Sequence, residues 1–324
     1  MKNFESFLSP QLNECVAYRK DLAYATKSFR GHLLIFDRYL REAEADWHSL
    51  KPSFFLDMRA NLNMQPSGVN KILSAARQFF WFMVRMGYVD ENPLEDIPFL
   101  KEETVVPFIF SPEQTHQFLC HVCNNIRRTE KYFLIDLGVY ITILLLAKCG
   151  LRISEPLRLL VEHYREDDVT LYIEKTKFRK DRLIPIPKAV KMEIENYLAV
   201  RKCFLSHDEN PYLLAGWKNK SLSVQKVRSI FHQAEKDIGL DQTRRVIGNM
   251  IFNPPTPHSL RHSFAVNTLI AIKKRGESLQ RALPVLATFL GHSEYKHTTI
   301  YLRVADAMSR KNLLDFTLWQ RKKL

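Results

Sequence analysis

Hydrophobic positions recur every three to four residues through most of the first hundred positions. Between residues 26 and 45 the set Phe29, Leu33, Phe36, Tyr39 and Leu40 shares one face, and between 67 and 86 so do Val69, Ile72, Leu73, Ala76, Phe79, Phe80, Phe82 and Met83. A 3.6-residue period of this kind predicts two amphipathic helices. Two shorter helices are expected over residues 10–22 and 53–62, and Gly87 followed by Pro93 closes the series with a glycine cap and a proline stop. Residues 1–100 are therefore expected to form a four-helix domain. Residues 101–107, charged at Lys101, Glu102 and Glu103 and ending in Pro107, have the composition of a linker.

The pattern changes in residues 108–324, which are expected to form a second domain. Ser111, Pro112 and Gln114 supply an N-cap, a proline at the first helical position and a capping-box partner. Residues 132–148 are apolar on nearly every side and predict a buried helix ending at Gly150. Val169, Leu171 and Ile173 alternate with Thr170, Tyr172 and Glu174, a period of two that predicts a strand, and residues 182–186 supply a second strand after a basic turn. Helices resume over 188–204, 223–238, 258–274 and 296–316. The expected class is mainly α with one small β-sheet, an α+β chain of two domains.

Composition narrows the function. The chain has 324 residues, 46% of them hydrophobic, which is enough for a sizeable core. The longest apolar run, residues 138–147, falls short of the ~20 residues that cross a bilayer, and no signal peptide is legible at the start, so a cytoplasmic protein is expected. Five scattered cysteines fit reduced thiols. Cys120 and Cys123 form a lone CxxC, better explained by helix packing than by zinc. With 48 Lys+Arg against 35 Asp+Glu the net charge is +13, and residues 1–100 hold 12 of each sign, so the whole excess lies beyond them. A polyanion is the natural partner of that region. Glycine-rich phosphate loops and HExxH are absent from the sequence, so neither ATP nor a metal is expected as a cofactor.

The candidate chemistry lies in the basic region. Arg152 follows the helix-ending Gly150 and precedes Ser154, a candidate N-cap, so its guanidinium and free backbone N–H groups could face one anion; an ion pair with Glu155 is the competing account. The turn between the two strands carries Lys175, Lys177, Arg179 and Lys180, and an ammonium there could protonate a leaving alkoxide. His258 and Arg261, three apart at a helix start, lie about 5–6 Å apart at Cβ. His262 is expected to point elsewhere, as a core or surface residue. His292 follows Gly291, and Tyr301 comes nine residues later.

In this order, Arg152, a hairpin lysine, His258, Arg261, His292 and Tyr301 resemble the motif set of the tyrosine recombinases, the phage integrase family, and residues 75–85 and 90–96 resemble the end of that family's N-terminal core-binding domain. The resemblance implies a SAM-like core-binding domain followed by a catalytic domain. It also implies six catalytic residues: Arg152, Lys177, His258, Arg261, His292 and Tyr301. Counting back from Arg182 selects Lys177 over Lys175 and Lys180. By the same resemblance Tyr301 attacks the scissile phosphate and forms a 3′-phosphotyrosyl bond, Arg152 and Arg261 hold its oxygens, Lys177 protonates the departing 5′ oxygen, His258 takes or returns the tyrosine proton, and His292 donates to a phosphate oxygen. Integration, excision or another exchange would follow, by a tetramer on two duplex sites, with accessory proteins or a sister recombinase as further partners. The 31 positions between Arg261 and His292 exceed the family's usual spacing, and residues 273–280 are expected to hold the excess as a surface loop. In the neutral first domain Lys27, Arg30, Arg38 and Arg41 on one helix, and Lys71 and Arg77 on another, are candidate phosphate contacts together with Lys175, Arg179 and Lys180 of the hairpin. By the same resemblance the tail 313–324, apolar residues followed by three basic ones, is expected to dock on a neighbouring subunit, with packing in cis as the competing account. A type IB topoisomerase and a cleavage-deficient DNA-binding accessory protein are the competing classes.

Overall fold

The computed structural model describes residues 3–174, 181–205, 209–248, 250–292, 298–302 and 304–306. The chain forms two compact units, residues 1–104 and 105–324.

The first unit holds α1 (Ser9–Asp21), α2 (Lys27–Glu42), α3 (Pro52–Asn61) and α4 (Pro66–Arg85), with a 3-10 turn at Trp47–Ser49. The apolar stripes expected on α2 and α4 are the buried ones, and Phe36, Phe55, Phe79 and Phe80 pack edge-on or tilted at its centre. Asp37, buried on α2, accepts from the N–H groups of Glu5 and Ser6 at 2.9 and 3.0 Å and ties down the start of the chain. A buried carboxylate is tolerable here because backbone donors replace its water.

The second unit is built around α6 (Glu130–Cys149), which packs against α5 (Pro112–Asn124), α7 (Lys188–Phe204), α8 (Val224–Asp237) and α9 (Pro257–Lys274). The capping box at Ser111 and Gln114 forms as expected, with bonds of 2.9 and 3.1 Å. α6 has the length and hydropathy of a membrane span, beyond what the uninterrupted apolar run suggested, but most of it is buried inside the unit. Such a helix serves as the core of a globular unit. α10 (Leu279–Leu290) follows α9, so the loop expected over 273–280 shrinks to 275–278, its ends being drawn into the two helices.

Among the described residues six short strands accompany the helices. β2 (Tyr164–Arg165), β3 (Thr170–Ile173) and β4 (Arg182–Pro185) form an antiparallel sheet in which Leu171 pairs with Ile184 and Ile173 with Arg182, the hairpin that the period-two pattern predicted plus one further strand. A second sheet, in the order β1-β6-β5, corrects the expectation of a single sheet: β1 (Thr104–Val106), β5 (Arg245–Ile247) and β6 (Met250–Phe252). β1 falls in the stretch expected as a linker.

Candidate active site

Among the described residues α6 and α10 have a left-handed glycine at the C-cap itself, Gly150 (φ 59°) and Gly291 (φ 67°). A side chain is disfavoured there by backbone geometry. At Gly150 a Cβ would also stand 2.5 Å from the Phe264 ring, and at Gly291 it would stand 2.8 Å from the Arg182 guanidinium. The last carbonyls of a helix have no intrahelical donor and carry its partial negative charge. Here arginines meet them. Arg261 donates from Nη1 to the Gly150 carbonyl and from Nη2 to the Leu290 carbonyl, both at 2.7 Å. Arg152 donates from Nη2 to the Gly291 carbonyl at 2.9 Å, and Arg182 from Nε to the Phe289 carbonyl at 2.8 Å.

Glu155 lies among these three guanidiniums. Its carboxylate accepts from Arg182 Nη1 and Nη2 at 3.2 and 2.9 Å, and from Arg152 Nη1 and main-chain N at 3.0 and 2.8 Å, with Arg261 Nη1 4.0 Å away. Burial pushes this carboxyl up, but the Arg182 bonds, the Arg152 N–H and the Arg261 charge outweigh it and hold it below the usual carboxylate range. The ion pair of Arg152 with Glu155 is therefore present, and it exists within the site. The expected N-cap at Ser154 is absent: a 3-10 turn, Pro156–Arg158, begins there, and the Arg152 N–H is taken by Glu155.

α9 supplies the histidines. Thr256 and Ser259 form its capping box and Pro257 its first residue, while Phe110 N donates to Ser263 Oγ at 2.8 Å, fixing the helix against the segment before α5. Arg261 is 1% exposed. His258 keeps one face open to solvent. Burial, then the charges of Arg261 and Arg152, push its imidazole down to about 4. The guanidinium charges are the part of that shift that a bound anion would offset.

Tyr301 is 2% exposed, packed with Ala265, Val266, Leu269 and Leu290. Burial pushes its phenol up, and Arg261 and Arg152 pull it back only in part. Its hydroxyl lies 3.0 Å from Nδ1 of His262. That overturns the expectation that His262 points elsewhere. The His258 ring meets His262 edge to face at 4.4 Å, and the His292 ring stacks on Tyr301 at 6.1 Å with its Nδ1 2.8 Å from Thr298 Oγ1. The structure thus brings together Arg152, His258, Arg261, His292 and Tyr301, and adds Glu155, Arg182 and His262. One signal in the sequence pointed to these: Glu155 and His262 are next to, or one turn from, motif residues. Lys177, with Lys175, Arg179 and Lys180, lies outside the described residues, as does the tail 313–324.

The candidate phosphate contacts of the first unit divide. Lys27, Arg38, Arg41 and Lys71 are exposed. Arg38 approaches Glu42 at 3.9 Å, Arg41 pairs with Glu5, and Arg30 lies 5.0 Å over the Phe4 ring. Arg77 is a correction: its Nε donates to the Leu94 carbonyl at 2.8 Å and its Nη2 to the Ile97 carbonyl at 2.5 Å, and the guanidinium covers Phe99 at 4.5 Å. It holds residues 94–99 onto α4 rather than facing solvent. Cys120 and Cys123 are exposed on α5, so they do not serve helix packing; among the described residues no three His, Cys, Asp or Glu gather as metal ligands.

A family profile described as the Phage integrase family matches residues 111–308. A Sinorhizobium fredii protein named as an integrase/recombinase, y4rE, is 28% identical over 303 residues, covering 93% of each chain. The tyrosine recombinase XerD of Brucella suis is 25% identical over 317 residues, covering 96% of this chain and 94% of its own. Among solved structures, the XerH site-specific recombinase in a post-cleavage complex with a palindromic difH substrate superposes with a TM-score of 0.68 at 17% identity, over 99% of this chain and 92% of that one.

Proposed function

The chain belongs to the phage integrase family, and from that premise we propose that Tyr301 is the nucleophile with which it cuts and rejoins duplex DNA. It is a site-specific recombinase, a DNA strand-breaking and rejoining enzyme that binds DNA and works as an oligomer. The observation that supports the assignment is the convergence of the buried Arg261, the half-buried Arg152 and three imidazoles on one buried tyrosine.

In this reading Arg152 and Arg261 receive the non-bridging oxygens of the scissile phosphate. Each already gives N–H groups to helix-end carbonyls, so their planes are fixed before the substrate arrives, and preorganised donors stabilise charge in the transition state without reorganising. Tyr301 attacks phosphorus and forms a 3′-phosphotyrosyl bond. The 5′ oxygen leaves, protonated by Lys177, and later attacks the equivalent bond on a partner duplex. By the resemblance His258 takes or returns the tyrosine proton, and His292 donates to a phosphate oxygen. The bond energy is conserved in the phosphotyrosyl link, so neither ATP nor a divalent ion enters the scheme.

A tetramer on two duplex sites would carry out exchange, with accessory proteins or a sister recombinase setting direction, in the cytoplasm where the DNA lies. Lys27, Arg30, Arg38, Arg41 and Lys71 of the first unit, and Lys175, Arg179 and Lys180 of the hairpin, would contact backbone phosphates. The experiment is trapping on a nicked duplex carrying the ends of the DNA element that encodes the protein, in EDTA. A covalent protein–DNA adduct is expected from the unaltered chain and none from Tyr301→Phe; an adduct that survives the substitution, or needs a divalent ion, sinks the assignment.

A further inference from the structure

Attack by Tyr301 needs a group that removes its proton. Three imidazoles surround that tyrosine, and they are not equivalent. His258 meets the edge of His262, and His292 stacks against the phenol ring with its Nδ1 at Thr298. The ring nitrogen that meets the phenol oxygen belongs to His262, at 3.0 Å, with the two rings tilted by 57° and 5.6 Å between centroids. We propose that His262 is a further catalytic residue, whose Nδ1 takes the hydroxyl proton of Tyr301 as that oxygen attacks phosphorus and gives it back on rejoining. This rests on Tyr301 being the nucleophile.

The step balances within the site. A lone pair of the Tyr301 oxygen forms the O–P bond, the bond from phosphorus to the 5′ oxygen breaks with its electron pair on that oxygen, the general acid supplies a proton there, and the phenol proton passes to His262. A neutral ring that accepts at Nδ1 carries its own proton on Nε2.

The surroundings explain why the exchange waits for DNA. His258 and Arg261 face His262 from the same helix, His292 from the end of α10, and Tyr301 from the helical residues that follow, with Arg152 beyond. Burial, then the charges of His258, Arg261 and His292, push His262 down to about 3. Burial also pushes the phenol up. In the free protein the pair therefore rests as a protonated tyrosine hydrogen-bonded to a neutral imidazole, and no reactive phenolate is presented. A phosphodiester held by Arg152 and Arg261 brings negative charge to the same place and offsets the cationic part of what keeps His262 from accepting a proton, burial being the larger part.

The test is single-turnover formation of the covalent adduct on the nicked duplex, followed from pH 6 to 9.5, with gel-shift affinity and thermal midpoint measured beside it. His262→Asn keeps an acceptor oxygen near the position of Nδ1 but cannot hold a proton. The expected result is a rate about 10²–10⁴-fold lower with unchanged affinity and midpoint, and a logarithmic rate that climbs with pH at unit slope, because the phenolate must then form by ionisation of a hydroxyl that burial holds above its ordinary range. His258→Asn should keep the pH profile of the unaltered protein. A His262→Asn protein with an unchanged rate and profile overturns the proposal, and so does one as slow as His262→Ala at every pH with a lowered midpoint, which marks a packing role. Tyr301→Phe separates the two ideas: an adduct there removes the nucleophile itself, whereas its absence beside an unaffected His262→Asn removes His262 alone.

Discussion

Arg77 in the first unit and Arg261 in the second are anchored by the same device, two guanidinium N–H groups on two main-chain carbonyls. Their consequences differ. The carbonyls held by Arg77 belong to a turn, and the rest of its guanidinium covers an aromatic ring. The carbonyls held by Arg261 close α6 and α10, and around them stand a carboxylate, two further guanidiniums and a tyrosine. A carbonyl-bound arginine fixes the chain in both places. Around Arg261 its fixed plane also neighbours a buried tyrosine and other cations, which is why total charge is a poor guide to function.

Removing the carboxylate should expose that difference most. Glu155→Ala leaves Arg152 and Arg182 facing each other without a counter-ion, and loss of one partner from a buried pair costs about 3–5 kcal/mol. A fall in the thermal midpoint of the second unit by roughly 10 °C, with adduct formation abolished, is expected; an unchanged midpoint would mean the carboxylate is not what holds the guanidiniums together. Acid should act next, and selectively. His258 and His262 are held near 4 and 3, below the ~6.5 of an unfolded histidine, so below that value the unfolded chain binds protons the folded one does not. Their contribution is present above pH 6.5 and is lost as pH falls toward 4, worth roughly 2 kcal/mol for the more enclosed His262. Urea unfolding at pH 7 and 4.5 should show the loss in His262-containing protein and a smaller one in His262→Asn.

The first unit gives the counterpart. Arg77→Ala should cost about 2 kcal/mol through the removal of two charge-assisted bonds, while the salt dependence of DNA binding stays as it was; a shallower salt slope would restore Arg77 as a phosphate ligand. Replacing Lys27, Arg38 and Arg41 together by alanine should do the reverse. The midpoint should hardly move, because their ion pairs are exposed, and the slope of log affinity against log salt should fall by about 0.9 for each phosphate that these side chains no longer neutralise.

Much of the fold is legible in the sequence alone. The 3.6-residue stripes locate α2 and α4, the capping residues locate the start of α5, and the glycine after α6 marks one of the ends that the arginines use. What escapes does so for a physical reason. β1, β5 and β6 are three residues long and carry exposed Val105, Val246 and Ile247, so burial imposes no alternation on them and a period of two is invisible. Arg77 reads as a surface cation because nothing in its own neighbourhood announces the carbonyls of residues 94 and 97. The Arg182 pair with Glu155 spans 27 positions and the approach of His262 to Tyr301 spans 39. Helical spacing places His258 and Arg261 together, but it cannot say which imidazole the folded tyrosine meets.

The cluster around Glu155 also sets an electrical balance. Three guanidiniums less one carboxylate leave two positive charges, and the suppressed histidines add none. A phosphodiester in its ground state offers one negative charge, and phosphorus bonded to both the attacking and leaving oxygens offers about two. Among the described residues the site thus carries one positive charge more than a bound phosphodiester carries negative, and moving the phenol proton to a histidine of the site would leave that total unchanged while it separates charge. If a phosphodiester sits between the guanidiniums of Arg152 and Arg261, the net charge would stay constant and only its placement would change, and donors fixed beforehand toward the oxygens that gain charge are the condition under which binding energy appears as rate.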